Sequence, residues 1–164
     1  MKLSKKQNVS LIVGFFALLV AFTSNAQDVL TNQSIIALCE AKVAKGVILQ
    51  KINSSKSNFD VSTSGLVLLK TAKVPDVITE NMLAVTSSRE TIMNEDIIRL
   101  AEAKVAKNVI LKKIRTSSNK FDLSTEGLIR LKAAKVPDVI VKSMMVGGSG
   151  PEKEAATAKP AKKK

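Results

Sequence analysis

The chain has 164 residues, with 26 Lys and Arg against 14 Asp and Glu, a net charge of +12. It holds one cysteine and no histidine, tryptophan or tyrosine. That composition excludes an intrachain disulfide framework and leaves neither a histidine base nor a histidine metal ligand.

The N-terminal segment has the pattern of a signal peptide. Lys2, Lys5 and Lys6 form a positive start, and Ser10 to Phe22 is apolar. This stretch is shorter than the about 20 residues a spanning helix needs. Ser24-Asn25-Ala26 places small residues for cleavage before Gln27. Residues 1–26 are therefore expected to be removed, and the protein to be exported to the periplasm or secreted. No cysteine stands after the cleavage site, so no lipid attachment is expected there.

Beyond it, Ala-Lys-Val occurs four times, centred on Lys42, Lys73, Lys104 and Lys135, at a constant spacing of 31. A larger duplication encloses these marks. Ser34 to Leu83 aligns without gaps on Asp96 to Met145 at an offset of 62, with roughly 30 of about 50 positions identical. The expected organisation is a first helical repeat at 27–83, a linker at 84–92, a second repeat at 93–145 and a Lys-rich disordered tail at 146–164.

Each copy carries four short helical patterns. In copy one, Asn32 to Ala41 places Ile35, Leu38 and Cys39 on one face, and Ala44 to Asn53 places Val47, Ile48 and Ile52 there, with Gln50 and Lys51 opposite. Residues 54–61 are a polar loop with Phe59 turned inward. Thr63 to Ala72 carries Leu66 and Leu69, and Pro75 to Leu83 carries Val77, Ile78 and Met82. Ser62 and Ser124 suit N-caps, as do Asn32 and Asn94 for the opening helices. Pro75 and Pro137 suit the first helical position, with Asp76 and Asp138 favourable in the first turn. Each Ala-Lys-Val lies between two patterns, with its lysine where helices commonly end on a left-handed glycine. The matched pairs Ile48/Ile110, Ile52/Ile114, Phe59/Phe121, Leu69/Leu131 and Ile78/Ile140 are expected in the core. The fold class is all-α: two homologous four-helix repeats of paired short hairpins, with a disordered basic C-terminal tail.

The string Asn94-Glu95-Asp96-Ile97-Ile98, Ala103-Lys104-Val105, Val109-Ile110-Leu111, Lys113-Ile114, Phe121-Asp122, Ser124, Leu128, Leu131-Lys132 and Val136-Pro137-Asp138-Val139-Ile140 resembles a small helical module of uncharacterised secreted or envelope proteins of bacteria. The resemblance covers both copies and implies no catalytic residue, cofactor or ligand. That family usually has Gly where this chain has Lys42, Lys73, Lys104 and Lys135. The Asn-Ala-Gln at the signal-peptide end also looks like exported proteins of the Bacteroidetes group.

Candidate chemistry is sparse. Asp60 and Asp122 read as loop and capping residues, because one carboxylate per copy is not an acid–base pair. Cys39, matched by Ala101, reads as a small apolar core residue. No catalytic, cofactor-binding or metal-binding residue is assigned. Copy one has Ala37 and Leu68 where copy two has Arg99 and Arg130, so Leu68 is a candidate contact with either copy two or another protein. Lys159, Lys162, Lys163 and Lys164 are candidate contacts for an anionic polymer or membrane surface. The expected function is a non-catalytic binding or structural module of the bacterial envelope, its partner an envelope protein or an anionic surface. One alternative is a polyanion- or nucleic-acid-binding protein using its lysines; another is an enzyme without a recognisable site.

Overall fold

The computed structural model describes residues 29–88 and 90–147. The signal-peptide reading and the tail lysines lie outside the described residues. Eight helices follow in order: α1 (Asn32–Glu40), α2 (Lys45–Ser54), α3 (Thr63–Thr71), α4 (Asp76–Val85), α5 (Asn94–Glu102), α6 (Lys107–Thr116), α7 (Thr125–Ala133) and α8 (Asp138–Gly147). Among the described residues the fold is all-α but for two short strands, β1 (Thr91–Ile92) and β2 (Ser118–Asn119). The odd-numbered helices pack in series, α1 on α3, α3 on α5 and α5 on α7, and the even-numbered ones do the same from α2 to α8. One apolar core runs between the two rows.

The Ala-Lys-Val turns have a single geometry. Lys42, Lys73, Lys104 and Lys135 have φ of 56°, 57°, 56° and 58°. In the first turn the Lys42 N–H donates to the Cys39 carbonyl and the Val43 N–H to that of Leu38, both at 3.0 Å. The other three turns repeat this pair of bonds. It is the Schellman arrangement, in which a left-handed residue lets two amides satisfy carbonyls left open at the helix end. Valine then meets the leucine of the last turn, and Val74, Val105 and Val136 are buried with Leu69, Leu100 and Leu131. Ala, Lys and Val thus have separate tasks: helix end, left-handed turn and return to the core.

The connections between these turns are also specified. Ser62 Oγ accepts the Gly65 N–H at 3.1 Å, and Ser124 Oγ that of Gly127 at 3.2 Å, as expected for N-caps. Pro75 and Pro137 stand one place before the first helical residues. Asn32 and Asn94 are not the caps; Thr31 and Met93 hold that position. The two asparagines reach instead across to a later loop. Asn32 Nδ2 donates to the Asp60 carbonyl at 2.8 Å while its Oδ1 accepts the Asp60 N–H at 3.0 Å, and Asn94 makes the same pair with Asp122. A loop amide and carbonyl partly withdrawn from water need partners, and the asparagine amide supplies both at once.

Three stretches differ from the sequence reading. Ala84 and Val85 end α4, and Val146 and Gly147 lie in α8. Thr91 and Ile92 form β1, parallel to β2, with Ile92 fully buried. An equivalent parallel bridge joins Leu30 to Ser57. Of the ten residues expected in the core, nine are buried; Phe121 is only partly so, because nothing among the described residues covers the last helix pair.

Candidate functional site

A polar cluster sits where α6 meets the first four helices. Lys113 lies on α6 one turn from Val109 and Ile110, on the apolar face, and is the largest fully buried side chain. Its Nζ has three neighbours: the Val61 carbonyl at 2.8 Å, Ser88 Oγ at 2.9 Å and Glu90 Oε2 at 2.8 Å. Glu90 Oε2 also accepts the Thr63 N–H at 3.1 Å, at the start of α3. That is a favourable place for a carboxylate, since helix-start amides are open and the dipole is positive there. One lysine therefore ties α6 to the loop before α3 and to the segment between α4 and α5.

A cleft of about 400 Å³ opens beside the cluster, lined by residues 58–62, residues 86–88 and Glu90. A serine 2.9 Å from a lysine inside a cleft invites comparison with a Ser–Lys catalytic pair. The chemistry differs. A base needs a lone pair on Nζ, but this nitrogen faces three acceptors, one of them a carboxylate, and uses its three protons as donors. Ser88 accepts from it and is not deprotonated by it. The arrangement suits a structural clasp.

The two loop aspartates are also engaged. Asp60 Oδ1 and Asp122 Oδ1 accept the Ser62 and Ser124 N–H groups at 3.0 Å. The Ser124 hydroxyl, then its amide, hold the Asp122 carboxyl below the usual carboxylate range. Gly65 and Gly127 are fixed by the same turn, because a Cβ at either would come within 2.3 Å of the Asp60 or Asp122 carbonyl oxygen. Burial pushes the Cys39 thiol up, which keeps it protonated and a weak nucleophile. No group of three potential metal ligands occurs among the described residues.

Leu68 lies on α3 and is 52% exposed, so it is not covered by the α5–α8 half of the chain. Its counterpart Arg130 pairs with Glu95 at 2.9 Å. The lysines the sequence offered in the turns, Lys42, Lys73, Lys104 and Lys135, are all exposed. Because the helix pairs pack in series, they recur along the same edge of the stack. Lys70 and Lys132 at that edge approach Asp76 and Asp138 at 3.7 and 3.5 Å.

Sequence reasoning missed Lys113. The available signal was its place on the apolar stripe of α6, where Met82 and Met144 occupy the matching positions of α4 and α8. No protein-family model, curated protein or solved structure matches the chain.

Proposed function

We propose that this chain is an exported, non-catalytic helical repeat protein that serves as a binding or structural module of the bacterial envelope, built as two four-helix repeats followed by a basic tail. The observation that carries this reading is the Lys113 clasp. The most reactive-looking set of side chains, Lys113, Ser88 and Glu90, is spent on joining helices. The repeated turns and asparagine ties likewise serve to hold a regular stack, and such stacks present long surfaces to partners. Leu68 supplies an exposed apolar contact on that surface.

The test is the fate of the chain in its own cells, followed by its reactivity. The reading expects a mature protein beginning at Gln27 in the envelope or secreted fraction, unlabelled by a serine-directed fluorophosphonate. A full-length cytosolic protein, or labelling at Ser88, contradicts it.

A second reading is favoured by the edge of exposed turn lysines: attachment to an anionic polymer or membrane surface, aided by Lys159, Lys162, Lys163 and Lys164. Retention on a polyanion should then fall steeply with salt, because the attraction is screened beyond about 10 Å at 0.1 M. Salt-independent retention removes this reading.

A further inference from the structure

The two ends of the stack are apolar, and they match the two sides of a junction already present inside the molecule. On the α7–α8 end, Ile129 is 57% and Met145 51% exposed. Their counterparts 62 residues earlier, Val67 and Leu83, are half-buried and fully buried, because α5 and α6 follow them. On the α1–α2 end, Val47 is 57% exposed while its counterpart Val109 is 1% exposed against α4. Natural stacks of this type close with polar terminal units; among the described residues neither end carries one.

We infer that the α7–α8 end of one molecule docks on the α1–α2 end of a second copy, reproducing between molecules the contact that α3 and α4 make with α5 and α6 within one. The polar part of the junction is also encoded. Lys51 is exposed at the position matching Lys113, although α4 and α8 carry methionine there. Leu123 matches Val61, whose carbonyl binds Lys113. In the docked pair, Lys51 takes the Leu123 carbonyl of the neighbouring molecule. A contact between unlike ends is head-to-tail, so it propagates into a filament or closes into a ring. The inference does not depend on what the module binds.

Sedimentation velocity of the mature chain tests it with two variants, Val47→Glu on one end and Met145→Glu on the other. The expected result is a mass that grows with concentration for the unaltered chain and a monomer for each variant alone. Mixing the two variants should restore a dimer and nothing larger, because only one good junction can then form. A chain that stays monomeric at about 1 mM overturns the inference. Self-association that survives Val47→Glu also overturns it, since like ends would be pairing. Both sites are exposed, so folding should be retained; if circular dichroism shows otherwise, Val47→Ser and Met145→Ser serve as the pair with the same expected outcomes.

Discussion

Lys113 Nζ and Glu90 Oε2 lie 2.8 Å apart with unequal surroundings: the lysine is fully buried and the glutamate about a third exposed, at 31%. The inequality decides what each substitution does. Glu90→Ala strands a buried ammonium, and breaking a buried pair in this way costs about 3 kcal/mol or more. Lys113→Met leaves a carboxylate that water can reach and fills the space as Met82 and Met144 do, so its cost should be about 1–2 kcal/mol. Urea unfolding of both variants checks the order. Equal losses, or a larger loss for Lys113→Met, would show that the pair is not held as described.

The four left-handed lysines should each be improvable. A non-glycine residue at positive φ is strained by about 1 kcal/mol, while glycine adds freedom to the unfolded chain. Lys104→Gly should therefore raise stability by up to about 1 kcal/mol, and Lys104→Val should lower it, since a branched side chain fits that region worst. Thermal melts of the two variants should move in opposite directions.

These turns were the most legible part of the sequence, and the reason is local. The Schellman bonds involve residues within six of one another, so Ala-Lys-Val and a preceding leucine declare them. The Ser62 and Ser124 caps were legible for the same reason. Asn32 and Asn94 were read as caps because their types suit one; their true partners, Asp60 and Asp122, are 28 residues away. Lys113 was missed on similar grounds, since only the packed neighbours Val61, Ser88 and Glu90 make its burial tolerable. Phe121 was placed with Phe59 by sequence identity, but burial depends on whether another helix pair follows, which no local pattern encodes.

Phe59 and Phe121 should accordingly respond differently to truncation. Phe59 is 5% exposed, and Phe59→Ala should cost about 3 kcal/mol or more. Phe121→Ala should cost clearly less, because the ring is only partly removed from water. The comparison, by chemical denaturation, applies at dilutions where the chain is a monomer; matched losses there would show that the ring is covered within one molecule.

Asp122 gives the chain an acid-sensitive contact. Its folded-state pKa is depressed by Ser124, so its contribution is present above the unfolded carboxylate value, about 4, and is lost as pH falls through the depressed value. Asp122→Asn should be less stable than the unaltered chain near neutral pH, and the difference should shrink as the solution is acidified. A difference that stays constant down to the most acidic condition would remove the charge-dependent part of this account.

The clasp itself is tested most directly by chemical accessibility. Brief acetylation of the native chain, at a dilution where it is a monomer and read residue by residue by mass spectrometry, compares Lys113 with Lys51, its exposed counterpart in the matching helix. Modification of a buried amine requires the structure to open. Lys113 should react at least ~100-fold more slowly than Lys51, and the two rates should become equal in denaturant. Native Lys113 reacting as fast as Lys51 would contradict a buried, fully bonded lysine, and with it the reading of the Lys113, Ser88 and Glu90 cluster as structural.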